Sequence, residues 1–334
     1  MIYFIDRYDF NKDFQVRNFS GYEQIVKYSS EFKRINSVIF LNKVLHLLLK
    51  NKIPKNYIKS NLSKELVAFY YAFVWGIPIF YLYADKDAYL LPLLKRKFQM
   101  NRIKIYGTLH WPKEISTNFS FYHYQLMDQF DGVFSLSKTL SEDNKQIKII
   151  PHGINLEFWT NLNLNLFENY YLVIGQSNRN HYKQIEVITK ISKIDSNANF
   201  IVVVSNNKVK DFYKEIPKTT VLNTRISDIE LHDLYAKAKG VILFQDYCLA
   251  SNVVLESIAM GVPIITNNVG DISEYLGKDY ELYINNLDND IYKLKKFIEN
   301  KDVRESIVSK FVKIKNKFDW KIISSVTVNY IKQN

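Results

Sequence analysis

A chain of 334 residues has room for about two domains, and 47% hydrophobic with 24% charged content is ordinary for soluble domains. A single cysteine, Cys248, excludes an intrachain disulfide and a cysteine-built zinc cluster. The net charge of +11 is uneven: residues 1–155 carry 22 Lys and Arg against 13 Asp and Glu, the remainder 23 against 21. A basic half beside a near-neutral half points to an anionic partner, nucleic acid or an acidic lipid surface. No nucleic-acid-reading motif is present, so nucleic acid is not expected.

From the N-terminus, MIYFIDRYDF lacks the basic-then-apolar layout of a signal peptide. Apolar runs predict strands at Ile2–Ile5, Ile79–Tyr83, Lys104–His110, Val133–Ser137 and Lys148–Pro151. Between the first two, Leu45–Leu49 followed by Lys50 and Lys52 has the mix of an interfacial helix. Basic residues cluster in Lys50–Lys64 and Lys95–Lys104. The longest uncharged stretch, Leu66–Ala84, is broken by Gly76 and Pro78 and is not expected to span a membrane. An Asn-rich loop around Phe158–Glu168 is the expected domain boundary. Beyond it, strands are predicted at Tyr171–Gly175, Phe200–Ser205, Val221–Ile226, Val241–Phe244, Pro263–Thr266 and Leu282–Ile284. Helical stretches near Gln184–Ile194, Asp228–Lys237, Val253–Met260 and Asp290–Glu299 separate them. Strands alternating with helices give an α/β fold of two parallel-sheet domains with a cleft between them. Chemistry then belongs in loops after strands.

No two of the ten glycines lie within six residues of each other, which rules out G-x-G-x-x-G and a Walker-type loop. The most informative segment is Gln245–Gly270, QDYCLASNVVLESIAMGVPIITNNVG. A strand ends at Gln245, a polar loop follows, and a helix starts near Ser251 or Asn252, both good N-cap types. Amides at such a start attract a phosphate, and Glu256, one turn further in, can accept from two vicinal hydroxyls as on a ribose. Taken alone, the same residues also fit a helix cap and an exposed glutamate.

This segment resembles the nucleotide-sugar-binding region of glycosyltransferase family 4, of the GT-B fold. There two glutamates eight positions apart precede A-M-x-G-x-P-V-I, and LESIAMGVPIITNNVGDISEYL matches the second half, with Glu256 as the second acid. The first falls at Cys248, where the sequence departs; in the family that acid contacts the donor sugar, and Asp246 is the nearby candidate to replace it. The A-S-N at 250–252 falls where family amides hold the diphosphate. IIPHGINLEFW (149–159) resembles the stretch closing the first domain. YLVIGQSNRNHYKQIEVITK (171–190) resembles the donor-domain strand and loop, with Gly175 at the turn. There Arg179 and Lys183 would neutralise the diphosphate. RISDIELHDLYAKAKGVIL (225–243) resembles S-D-x-E-L-x-x-L-Y-x-x-A, with Arg225 and Ile226 beside the base. FDWKII (318–323) resembles the F-x-W-x-x-I before a last helix that crosses back to the first domain. Upstream the resemblance is limited to GTLHWP (107–112) and GVFSLSKTLSED (132–143).

The resemblance implies an acceptor domain over 1–155, a donor domain over 156–316 and a returning helix over 317–334. It implies a metal-independent transfer, with retention of configuration, from a nucleotide-diphosphate sugar to a hydroxyl, and the departure at Cys248 bears on that outcome. A uridine or guanosine diphosphate sugar is expected as substrate, with no cofactor and no metal; Asp85-Lys86-Asp87 and Asp288-Asn289-Asp290 spell D-x-D in unrelated contexts. His110 would face the donor sugar, donating to a sugar hydroxyl or, in an inverting mechanism, acting as base, and His152 would touch the donor. Ser20, Gly21, Tyr22 and Glu23, after the first strand, would line the acceptor pocket; the start of a surface helix explains them equally well. The basic first domain fits a lipid-linked or growing glycan acceptor, as in bacterial O-antigen, capsule or lipopolysaccharide assembly. The enzyme would be cytoplasmic, with peripheral contact on the anionic inner membrane. The alternatives are a nucleotide-sugar epimerase or phosphorylase of the same fold, or a non-catalytic nucleotide-sugar-binding protein.

Overall fold

The structure, a computed structural model, describes residues 1–6, 19–49, 61–111, 126–138, 147–161, 170–176, 178–222 and 226–334. Its contacts divide into two units. The first takes most of residues 1–153 and returns at Trp320–Asn334; the second takes Ile154–Asp319 together with Phe19 and Ser20. The divisions thus fall at 153/154 and 319/320, upstream of the Asn-rich loop and three residues past the expected start of the returning helix.

The first unit is a six-stranded parallel sheet. Its strands are β1 (Ile2–Ile5), β2 (Phe32–Arg34), β3 (Ile79–Tyr81), β4 (Ile105–Leu109), β5 (Gly132–Ser135) and β6 (Ile147–Ile149), in spatial order β2-β1-β3-β4-β5-β6. Parallel strands buried on both faces read as continuous apolar runs, and β1, β3, β4 and β5 are such runs. Helices α1 (Ile39–Leu49), α2 (Asn61–Trp75), α3 (Ala84–Asp87) and α4 (Leu90–Lys97) connect them. Ala68 and Ala72 let α2 lie close on Ile5, Ile79 and Ile105 in the core.

Two buried carboxylates hold this unit's helices. Asp6, directly after β1, accepts from Lys64 Nζ and Arg34 Nε, each at 2.7 Å. Glu65 accepts from the Tyr81 hydroxyl at 2.6 Å and from the backbone N–H groups of Tyr89 and Leu90 at 2.9 and 2.7 Å. It thereby satisfies amides that begin α4 and have no partner within the helix. The C-terminal helix, Trp320–Gln333, packs against the 3₁₀ turn Tyr22–Tyr28. It seats Trp320 on Gly153, where a Cβ would stand 2.5 Å from the indole. Gly153 is glycine because the ring needs that space.

The second unit is a five-stranded parallel sheet in order β11-β10-β7-β8-β9. Its strands are β7 (Tyr170–Ile174), β8 (Asn199–Val203), β9 (Thr219–Leu222), β10 (Gly240–Leu243) and β11 (Ile264–Thr266). Its helices are α5 (His181–Ile194), α6 (Asn207–Asp211), α7 (Asp228–Lys237), α8 (Asn252–Met260), α9 (Ile272–Leu276), α10 (Leu287–Glu299) and α11 (Lys301–Ile314); the Trp320–Gln333 helix of the first unit is α12. Ser227 and Glu230 form a reciprocal capping box at the start of α7. The expected strand at Leu282–Ile284 is instead a single bridge, Thr266 to Tyr283, with Ile284 N–H bonded to Thr266 O at 2.8 Å. Among the described residues, no helix is long and apolar enough to cross a membrane.

Candidate functional site

In the second unit the strand order reverses between β7 and β10, the point where open α/β sheets bind ligands at the strands' carboxyl ends. The chain leaves β7 through Gly175, at φ +85°, a conformation L side chains rarely adopt; a Cβ there would also stand 3.1 Å from Arg179 Nη2. Arg179 then bridges to Gln245, the residue two past β10, and Asn180 N–H bonds Phe244 O at 2.9 Å. The two loops are stitched together at the switch point.

Arg179 is half-buried, and its Nε donates to Ile174 O at 3.3 Å. Among the described residues no carboxylate pairs with it. Burial lowers its pKa, while Cys248, Tyr235 and Glu256 pull it back up. A guanidinium held among these groups without an ion-pair partner is a receptor for an added anion. Lys183, its expected companion, sits in the first turn of α5 with Nζ 3.1 Å from Glu186, so its charge is already partnered. Asn180, which sequence reasoning missed, caps α5 through Lys183 N–H at 2.9 Å and donates to Asp246 Oδ1 at 2.8 Å. An Asn one residue before a helical pattern was the available signal.

After β10, the loop Gln245–Ser251 is pinned by Asn267, which accepts Gln245 N–H at 3.1 Å and donates to Gln245 O at 2.8 Å. Cys248 is buried, and burial pushes its thiol up to about 12. Ser251 stands at the N-cap of α8 with Asn252 as first helical residue, but its Oγ makes no capping bond and is buried without a partner. A nine-residue helix start with a buried, unpartnered hydroxyl offers amides and an O–H to an anion.

Glu256 lies one turn into α8 and is buried, which rules out the reading as an exposed glutamate. Its Oε1 accepts from Ser20 Oγ at 2.6 Å and its Oε2 from Tyr235 Oη at 2.9 Å. Burial raises its pKa; the two hydroxyls and Arg179 act against that rise. Ser20, expected beside the acceptor, is therefore a partner of Glu256. Phe19 anchors it: its N–H donates to Asp228 Oδ2 at 2.8 Å and its ring stacks on Phe158 at 3.8 Å. Ile226 packs at the margin of this unit's core, and Arg225 lies outside the described residues.

The remaining expected residues belong to the first unit. Gly21 precedes the 3₁₀ turn; Tyr22 is buried, with its hydroxyl 2.8 Å from Thr108 Oγ1 and its ring edge against His110 and Trp320. Tyr22 is thus a core residue here rather than a pocket wall. Glu23 accepts from Tyr83 Oη at 2.6 Å. His110 stacks on Tyr83 at 4.2 Å; its Nε2 lies 2.9 Å from Leu82 O, an acceptor only. That bond places a hydrogen on Nε2.

His152 is buried and donates from Nδ1 to Gly153 O at 2.7 Å. Burial holds its pKa down at about 4, against an ordinary 6.5, partly offset by the Gly153 carbonyl. Between those values the unfolded chain binds a proton that the folded chain does not. Stability is therefore complete above pH 6.5 and falls as the pH drops towards 4, by about 3 kcal/mol. Urea titrations at pH 7 and 4.5 are expected to show this loss in the wild type and about 2 kcal/mol less of it in His152→Gln.

Residues 168–298 match the family described as Glycosyl transferases group 1. An uncharacterized glycosyltransferase of Methanocaldococcus jannaschii is 25% identical over 231 residues, 60% of this chain and 59% of the relative. The chain thus spans about three-fifths of that relative's length. Among solved structures, sucrose-phosphate synthase from Thermosynechococcus elongatus is similar at TM-score 0.55 and 16% identity, covering 84% of this chain and 80% of the other. A variant of S. aureus TarM, in complex with fondaparinux, α-GlcNAc-glycerol and UDP, is similar at TM-score 0.59 and 14% identity, covering 82% and 61%. The fold is that of the GT-B glycosyltransferases, and the segment that matches glycosyl transferases group 1 holds the β7–β10 switch point with Arg179, Tyr235, Ser251 and Glu256.

Proposed function

We propose that the protein is a glycosyltransferase that moves a sugar from a nucleoside diphosphate to a hydroxyl acceptor. The observation that carries this is Arg179, a cation without a carboxylate partner among the described residues, at the switch point of the donor sheet. In this reading Arg179, Ser251 and the first amides of α8 hold the diphosphate, and Glu256 takes the ribose diol. As the bond from the sugar to the phosphate breaks, negative charge grows on the leaving diphosphate. A preorganised guanidinium stabilises that charge more than it stabilises the ground state. Lys183 would join only by releasing Glu186.

The finer reading is a uridine or guanosine donor, transfer with retention, and a lipid-linked or growing glycan acceptor of a bacterial surface polysaccharide. TarM bound to UDP and α-GlcNAc-glycerol supports a donor of this kind, and the basic first half of the chain supports an acceptor at an anionic membrane.

The test is release of free nucleoside diphosphate from a panel of UDP-, GDP- and ADP-sugars, with and without hydroxyl acceptors. One nucleotide series turned over, faster with acceptor, is expected. A sugar changed on the intact nucleotide, without release, would favour an epimerase instead. Binding without turnover of any donor would favour a nucleotide-sugar-binding protein.

A further inference from the structure

Helix α1 turns its apolar side outward. At 100° per residue, Ile39, Phe40, Lys43, Val44, Leu47 and Leu48 share one half of the helix, and all six are exposed. Phe40, Leu47 and Leu48 expose 77%, 78% and 71% of their surface, and no residue of α1 is buried. The opposite side is the anchored one. There Leu45 and Leu49 pack on the cluster of Leu62, Tyr89 and Leu90, and Asn42 Oδ1 accepts Ser63 N–H at 2.9 Å. Just before the helix, Val38 N–H donates to Ser63 Oγ at 2.9 Å. A surface helix ordinarily places its polar residues out and its apolar residues in; here the polar Asn42 is the inward tie and five of the six outward residues are apolar.

Charge decides what such a face meets. From Phe32 to Lys64 the sequence contains no Asp or Glu and eight Lys and Arg, of which Arg34 and Lys64 are paired with Asp6 and six remain. Lys43 stands within the outward face itself, and Lys50, Lys52, Lys55 and Lys59 follow α1 in the chain. A second copy of the same face would bring two acid-free basic segments together, with nothing in this segment to neutralise either. An anionic bilayer supplies both an apolar layer and the opposite charge. We infer that α1 is an interfacial helix that lays Phe40, Val44, Leu47 and Leu48 into the surface of an anionic membrane, with Lys43 at the headgroups. This names the surface used by the membrane contact of the proposed function, and it does not depend on the donor chemistry.

The test is co-sedimentation of the full chain with vesicles of phosphatidylcholine alone and of phosphatidylcholine with phosphatidylglycerol. Binding to the anionic vesicles at low salt is expected, weakening as salt shortens the screening length. The double variant Leu47→Asp/Leu48→Asp is expected to lower vesicle affinity by about tenfold or more. Because both side chains already lie in solvent, its thermal midpoint and its turnover of donor with a water-soluble acceptor should match the wild type. Three results would overturn the inference. One is wild-type protein left in the supernatant with anionic vesicles at low salt. Another is equal binding by the double variant, which would place the contact on charges elsewhere. The third is a dimer without lipid that the double variant splits, which would assign the face to a second copy. Lost nucleotide turnover with intact vesicle binding would instead count against the donor-site reading alone.

Discussion

Arg179→Ala is expected to lower kcat/KM for the nucleotide sugar by about 10³-fold, the scale of losing one preorganised charge at a developing oxyanion. The Arg179 backbone is fixed by its bridge to Gln245, and the guanidinium lies beside Gly175 with Nε donating to Ile174 O, so it is placed before any ligand arrives. Its neighbours can be spared in the comparison. Affinity for the bare nucleoside should change little, while affinity for the nucleoside diphosphate should fall steeply, as titration calorimetry of the pair would show. Arg179→Lys keeps the charge but not the planar fork and is expected to recover only part of the loss. Equal losses for nucleoside and diphosphate would mean that Arg179 supports the loop instead of the phosphates.

Glu256→Ala is expected to weaken nucleotide binding by about 10²- to 10³-fold, because two hydroxyl bonds to one carboxylate are lost together. The carboxylate is buried beneath two hydroxyls, those of Ser20 and Tyr235. Both covers are buried: Tyr235 lies in the core of the second unit, and Ser20 belongs to a turn of the same unit. In the proposed reading, a ribose hydroxyl would take the place of the Ser20 hydroxyl. Ser20→Ala is therefore expected to strengthen nucleotide binding by about three- to tenfold, the value of one competing hydrogen bond to a charged group. Isothermal titration of the wild type, Glu256→Ala and Ser20→Ala with one nucleotide checks both signs at once. Weaker binding by Ser20→Ala would show that the serine orients the acid for the ribose rather than competing with it.

The sheet of the second unit was largely legible in the sequence, and the reason is local. Val241–Thr266 carries a short apolar run, a good N-cap pair, a helix and a glycine turn in immediate succession, and α7 spans Asp228–Lys237 as its pattern predicts. In the first unit, α2 escaped and α1 was read only over Leu45–Leu49, because both are apolar around most of their circumference and give no 3.6-residue period to read. Strand β2 is only three residues, two of them basic. At the site, the resemblance to glycosyltransferase family 4 put Arg179, Ser251 and Glu256 together, and in the structure all three belong to the second unit. What surrounds Glu256 was not legible. Tyr235 lies 21 residues away in sequence and Ser20 lies 236 away, and no short-range pattern links either to the acid. The pairing of Lys183 with Glu186 was open to reading as an i,i+3 ion pair on a helix.

The most direct measurement is a crystal structure of the protein with the nucleoside diphosphate selected by the turnover panel. Expected are the ribose hydroxyls on Glu256 with Ser20 Oγ withdrawn, the diphosphate on Arg179, and a phosphate oxygen on Ser251 Oγ and the first amides of α8. A nucleotide seated elsewhere, or one held at this switch point with Arg179 and Glu256 both out of contact, would contradict that arrangement.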